Sequence, residues 1–461
     1  MSWTLCIDFG TAYSKAAAAP SRSWSNFEPG LIRPLMLNGQ GAANAFLLES
    51  AVFVDDGCVR FGSAAVARAA ALSESKRSAL RSFKTLLGVS DLDRALNTSV
   101  PASIDPHRVF SMGDLILLYL AFLNAAIERA IAHDPTLANI GNFERRYAAP
   151  AWRGGDSAGL HGVVLRLFGQ AEVLRDHFGP ALLSQDGIAI DQARAALAEA
   201  RASTRSANMG LIYEATAAGA YTSVGLEVEA PALIVLDMGA GTTDVAVLAR
   251  AGARVEELAD ARVTLKQAGD YIDRVLADLA ASASPKPKTV AEQSRRWRAA
   301  MNAMNGLKES LFAEGRAGFR YDGRIVQLTM RMLEKDRDFR TFKAALEHAY
   351  GRGLEVARDY AVLHGGQEIH AVAVGGGAAA PFIQQIIRTK PPRAGKLRIE
   401  PRPATPDWAH AREFRGNLAP VFPQLAIAIG GAIAPATMLA AAGGGFSLAV
   451  DAQTDSQAAP G

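Results

Sequence analysis

The chain has 461 residues, in which 49 Lys and Arg nearly balance 46 Asp and Glu, and no block of like charge stands out. That length divides into about two to three domains, and the charge balance gives a nucleic-acid or membrane-surface role no electrostatic support. Two cysteines without CxxC spacing, Cys6 and Cys58, and eight scattered histidines predict free thiols in a reducing compartment and no His or Cys metal cage.

The chain opens on an apolar strand, residues 3–9, with no charged n-region before it, so no signal peptide and a cytoplasmic location are expected. Residues 6–15 read CIDFGTAYSK: the strand ends in Asp8, Gly10 and Thr11 turn the chain at Ala12, and a second apolar stretch follows. Residues 41–112 turn polar and irregular and read as an inserted subdomain, with a strand pair around 51–61 and helices from Ala64 onward. Within it RSFKTLLG sets Lys84 among apolar neighbours, where a lysine either snorkels to water or reaches a transferring phosphate.

Residues 114–132 have the period of a long amphipathic helix, and RRYAAPAW at 145–152 reads as a strand stopped by a proline. A helix at 163–168, a short strand at 170–174 and a helix at 188–202 are expected next. Residues 208–221 run from strand into helix with Glu214 at the junction. A carboxylate there either caps the helix or orients a water.

Residues 233–248, LIVLDMGAGTTDVAVL, repeat the opening design with Asp237, then Gly239, Ala240, Gly241 and Thr242, then a returning strand. Such a turn exposes bare backbone N–H groups to an anion, and the acid at its mouth suits the metal that accompanies a phosphate. Each turn alone is compatible with an ordinary β-hairpin. The pair predicts two similar lobes offering glycine turns to one polyphosphate in the cleft between them.

A strand near 255–258 follows, and Gly269 and Asp270 just before a helix suit a backbone turn or an anion contact. ASPKPK at 283–288 breaks the chain before a charged helix at 291–312, and residues 266–338 read as a second inserted subdomain. A helix at 341–363 leads into IHAVAVGGG, a strand ending in Gly375, Gly376 and Gly377, where a nucleoside could lie flat against bare backbone. A helix at 381–388, surface loop at 391–406 and a flexible tail after 442 complete the reading. The apolar run 425–442 approaches a membrane span in length, but its Ala and Gly content and the interruptions at Gly430, Gly431 and Pro435 favour a buried, close-packed helix.

IDFGTAYSK, LDMGAGTTD and VAVGGGAAAP, in that order, resemble the first phosphate, second phosphate and adenosine motifs of the actin-like ATPase superfamily. The nearest member is the nucleotide-binding domain of heat-shock protein 70 chaperones, similar over residues 4–440, with YAAPAW, YEATAAGAY and SFKTLLG matching further segments. The resemblance implies an α/β protein of the actin-like ATPase fold: two ribonuclease H-like lobes, at 1–228 and 229–407, a nucleotide cleft between them and an inserted subdomain in each. Residues 408–442 would form a C-terminal helix region returning to the first lobe, and 443–461 a tail.

By the same resemblance Asp8 and Asp237 would hold Mg2+ through water, Gly10, Thr11, Ala12 and the turn from Gly239 to Thr242 would contact the phosphates, and Lys84 and Glu214 would steady the γ-phosphate and the attacking water. Gly269, Lys308 and Gly375 to Gly377 would line the rest of the nucleotide. The expected activity is hydrolysis of ATP to ADP, driving a conformational switch that controls a separate protein partner, since the family's β-sandwich is not found after the motifs. Ala12, Ala240 and Ala379 depart from the family pattern, and of its ExxKRxLS helix only Lys308 is kept beside Glu309, so base specificity is open. A filament or scaffold protein, a small-molecule kinase and a nucleotide-binding pseudo-ATPase are the competing expectations.

Overall fold

Two β-hairpins with the same local design seed two sheets. The computed structural model describes residues 2–439 except Trp24, residues 40–43, 73–76, Ser90, 151–156, 224–229, 252–253, Pro285, 391–396 and 415–417. The expected tail beyond 442 and Trp152 lie outside the described residues. The chain is a mixed α/β protein with several sheets.

The first sheet contains β1 (Trp3–Asp8), β2 (Tyr13–Pro20), β3 (Arg33–Pro34), β4 (Phe143–Ala149) and β5 (Gly210–Tyr213) in the order β3-β2-β1-β4-β5. The second contains β6 (Ala232–Met238), β7 (Thr243–Ala251), β8 (Arg254–Glu257), β9 (Glu368–Val374) and β10 (Arg398–Pro401) in the order β8-β7-β6-β9-β10. Order and direction coincide: in each sheet the first hairpin and its edge strand are antiparallel, and the two later strands join parallel to the central one. Short strands add to the return strand of each hairpin, Leu48–Glu49 on β2 and Val263–Leu265 on β7.

Helices α1 (Met112–His133) and α2 (Ser157–Phe178) cover one face of the first sheet, sharing a core with Leu5, Ile7, Tyr147 and Leu211. Helices α3 (Glu214–Ser223), α4 (Gly269–Ser282), α5 (Arg337–Leu363) and α6 (Phe422–Ile433) complete the layers. α4 and α5 cover the outer face of the second sheet against Ile234, Leu236, Val245 and Val247. α3 and α6 lie between the sheets, in one core with Cys6 and Ile212 on one side and Leu233, Val235, Val372 and Val374 on the other. Burying α6 side chains such as Phe422, Leu425 and Ile429 stabilises this middle layer by about 1.5–3 kcal/mol each.

Glycines set how closely the middle layer packs. A Cβ on Gly430 would stand 1.8 Å from the Ala217 carbonyl oxygen, one on Gly431 2.3 Å from Cys6 Sγ, and one on Gly219 2.0 Å from Leu248 Cδ1. Gly430 and Gly431 therefore do not interrupt α6; they let it touch α3 and β1, and the helix ends at Ile433, before Pro435.

Several sequence expectations change. Residues 170–174 form no strand; they lie inside α2. The helix expected at 291–312 is two helices, Val290–Asn302 and Met304–Glu314, parted at Ala303. Residues 391–406 are not all loop, because Arg398–Pro401 joins the second sheet as its parallel edge. Ile188–Ala189, expected as helix, is a strand that completes a three-stranded sheet with Val52–Val54 and Cys58–Phe61. α1 is less amphipathic than its period suggests: it is buried on nearly every side, and although long and apolar enough to cross a membrane, 78% of that stretch is packed inside the protein.

Candidate functional site

Each central strand carries an acid at its end. Asp8 is 1% exposed and Asp237 9%. In register across their hairpins, Asp8 faces Lys15 and Asp237 faces Asp244. Lys15 Nζ donates to Asp8 Oδ2 at 2.6 Å, and Lys84 Nζ stands 3.4 Å from Asp8 Oδ1 while also pairing with Glu214. Lys84 comes from the 3-10 segment Phe83–Gly88 and Glu214 from the first turn of α3. Lys84 thus does not snorkel to water, and Glu214 turns its carboxylate inward to the lysine.

Four carboxylates, the buried Asp8 and Asp237 and the half-buried Glu214 and Asp244, share this space with two lysines. Burial raises the Asp8 carboxyl, but Lys15 and Lys84 outweigh it and hold it below the usual carboxylate range. Burial opposes the charge on Lys84, yet Glu214 and Asp8 hold its ammonium above the usual lysine range. Burial, opposed by Lys84 and reinforced by Asp8, leaves Glu214 above its ordinary value. Asp237 is pushed up to about 8 by burial and then by Glu214, Asp244 and Asp8, with Lys15 offsetting only part. Asp244 is raised by burial despite accepting from Thr242 Oγ1 at 3.0 Å and Thr264 Oγ1 at 2.6 Å.

The first turn is fixed from behind. A Cβ on Gly10 would lie 2.0 Å from the Tyr13 carbonyl oxygen, so the turn requires glycine. Ser50 donates its Oγ to the Gly10 carbonyl at 2.7 Å and its N–H to that of Ala12 at 2.9 Å. Ser50 in turn is held in a buried hydroxyl cluster with Ser14 and Tyr119, whose OH donates to Ser14 Oγ at 2.9 Å. With the carbonyls engaged, the N–H groups of Gly10, Thr11 and Ala12 have no hydrogen-bond acceptor among the described residues.

The second turn is held by α4. Gly269 N–H donates to the Gly239 carbonyl at 3.1 Å and Asp270 N–H to that of Ala240 at 2.8 Å, while Gly239 N–H closes on Thr242 O at 3.0 Å. These two helix N–H groups are therefore committed to the turn and not available to an anion, contrary to the alternative open for Gly269. The N–H groups of Ala240, Gly241 and Thr242 have no acceptor among the described residues. The turns meet: a Cβ on Gly241 would be 3.0 Å from the methyls of both Thr11 and Thr85.

The third glycine stretch serves mainly packing. Gly375, at φ 84°, leaves room for Asp237, since a Cβ there would stand 2.4 Å from Asp237 Oδ1, and one on Gly377 would stand 2.5 Å from Met238 Sδ. Their N–H groups donate to Pro423 O and Met238 O, so only Gly376 faces open space. Lys308 donates to Asp273 Oδ1 on α4 at 2.7 Å, close to Gly269, while Glu309 and Ala379 are exposed.

Sequence reasoning missed Lys15 and Asp244 as site residues, although counting the hairpin register from each turn finds both. It also missed Ser50 and Tyr119, for which no local signal exists, and Tyr147, a buried phenol on β4 without a hydrogen-bond partner among the described residues and in the electrostatic field of Lys84. No family model matches the chain, and no curated protein compared with it matches either.

Proposed function

We propose that this chain is an ATPase of the actin-like kind, resembling heat-shock protein 70 nucleotide-binding domains, that binds ATP between its two glycine turns and hydrolyses it with Mg2+. The observation that carries the reading is the pairing of two turns, from sheets of identical order, whose six uncommitted N–H groups meet beside Asp8, Asp237, Lys84 and Glu214. Such N–H groups and a lysine are what polyphosphate binding asks of a protein.

The residues fit a divalent cation. An Asp237 carboxyl raised to about 8 among Glu214, Asp244 and Asp8 is a site short of positive charge. Among the described residues no three His, Cys, Asp or Glu side chains converge tightly enough to enclose a metal ion, so a cation beside Asp8 and Asp237 would keep most of its water, as Mg2+ does. Bound Mg2+ supplies charge neutralisation on the phosphates.

In this mechanism the backbone of Gly10, Thr11, Ala12, Ala240, Gly241 and Thr242 orients the phosphate chain. Lys84, held charged, stabilises negative charge on the terminal phosphate, and Glu214 orients the water for in-line attack. Contact between the turns couples the state of the terminal phosphate to the spacing of the sheets, and a separate protein partner reads that change. Magnesium-dependent phosphate release from ATP tests the reading; ATP left intact at every magnesium concentration overturns it.

One observation favours a second reading, a nucleotide-binding pseudo-ATPase. Lys308 is committed to Asp273 and exposed Ala379 offers no stacking surface, so the adenosine side supplies little binding energy. Binding of ATP with no turnover selects this alternative.

A further inference from the structure

The segment that carries Lys84 is tied to the opposite half of the molecule at one point. Ser82, immediately before Phe83–Gly88, donates its Oγ to Asp270 Oδ2 at 2.9 Å, across 188 positions in the chain. Asp270 is the second residue of α4, and its own N–H donates to the Ala240 carbonyl in the second turn at 2.8 Å. The bond therefore links the lysine segment to the second turn through a single intervening residue.

Ser82 holds an unfavourable backbone conformation to make this contact. Its φ of 55° and ψ of 20° are left-handed, a region that non-glycine residues rarely adopt. Its hydroxyl does not cap its own helix. Instead its carbonyl accepts from Thr85 N–H at 3.2 Å and Thr85 Oγ1 at 2.7 Å, which locks the kink and aims the hydroxyl outward. Thr85 carries the methyl that crowds Gly241, so the kinked segment touches the second half at the hydroxyl and again at the turn. A strained residue over-determined by its surroundings beside an active cluster is a functional signature when a specific contact explains it.

We propose that Ser82 and Asp270 form an interlobe latch that positions Lys84 and holds nucleotide in the closed site. While the latch is made, Lys84 stays on Glu214 and Asp8 with the two turns in contact; when it breaks, Ser82 is released from its kink and the turns separate. Its kinetic consequence rests on the ATP reading above, whereas its mechanical consequence does not.

Two measurements test it. In the nucleotide-free protein carrying Cys58→Ser, spin labels at the exposed positions of Ala102→Cys and Val290→Cys give an interlobe distance by pulsed EPR. Adding Ser82→Ala is expected to shift the distribution to longer distances, while Asp270→Asn, which keeps an acceptor oxygen, leaves it in place. An unchanged distribution in Ser82→Ala overturns the latch whether or not ATP binds. The second measurement is a double-mutant cycle on release of a fluorescent ATP analogue. Ser82→Ala and Asp270→Ala are each expected to speed release about tenfold, and the double variant no further, as for two ends of one bond. Additive effects, or none, contradict the pairing; failure of the wild-type chain to bind the analogue removes the ATP reading and leaves the distance measurement to decide.

Discussion

Asp8 and Asp237 occupy the same place in the two sheets, at the ends of central strands β1 and β6, but among the described residues only Asp8 is ion-paired with lysines. Across its hairpin Asp8 finds Lys15, whereas Asp237 finds another acid, Asp244. The site is therefore asymmetric in charge: Asp8 is neutralised by its lysines, whereas Asp237 stands among further carboxylates.

That asymmetry predicts an unusual pH dependence for the nucleotide-free protein. The Asp237 carboxyl lies at about 8, above its ordinary value of 3.8. Between those two values the unfolded chain has lost this proton and the folded chain has kept it, so stability falls as pH rises from about 4 to about 8. Thermal melts of Asp237→Asn are expected to be higher than wild type at pH 8 and to lose most of this slope. Mg2+ with ATP should raise the wild-type melt at pH 8 and leave the Asn variant nearly unmoved.

His370 acts in the opposite sense. It is 0% exposed on β9 beside Arg402, and its imidazole is pushed down to about 4 by burial and then by Arg402. The unfolded chain takes up this proton first, so stability is complete above about 6.5 and is lost as pH falls to about 4, by roughly 3 kcal/mol. In an Asp237→Asn background, which removes the opposing slope, urea titrations at pH 7 and 5 should show the acid loss, and adding His370→Gln should abolish it; an undiminished acid loss in that double variant removes His370 as the cause.

Ser50→Ala leaves the buried Gly10 carbonyl without its side-chain donor. A cost of about 1–3 kcal/mol is expected in denaturant unfolding, with Ser50→Thr recovering part of it. If the first turn is a phosphate site, the alanine variant also weakens ATP binding more than it slows turnover, because the turn's shape and not the chemistry is disturbed. Equal losses in binding and turnover would argue against that role.

Gly430→Ala is expected to destabilise the protein by at least about 2 kcal/mol, since its methyl has backbone on the other side and α3 cannot give without moving Glu214. A variant as stable as wild type in guanidinium titration would mean that the middle layer is not packed at this separation.

Both hairpins were legible in the sequence because their signal is local: an aliphatic run, an acid, a glycine and a return strand. Lys84 and Glu214 were legible only through the family resemblance, because neither SFKTLLG nor IYEAT marks its charged residue as inward-facing. Arg398–Pro401 was read as loop since four residues among prolines carry no alternation, and what makes them a strand is the edge of β9. The break at Ala303 has neither Gly nor Pro at the break itself to announce it, and residues 170–174 carry enough Val and Leu to imitate a strand inside α2. Ser82–Asp270 and Ser50–Gly10 join distant parts of the chain, and nothing in one segment names its partner in the other.

If the two turns and their acids form one ATP-hydrolysing site, phosphate release from ATP, measured for wild type and Lys84→Ala side by side with and without Mg2+, depends on both the lysine and the metal. Magnesium-dependent release by wild type, reduced about 100-fold or more in a Lys84→Ala protein that still binds ATP, is the predicted result. Release at the wild-type rate by Lys84→Ala would contradict it.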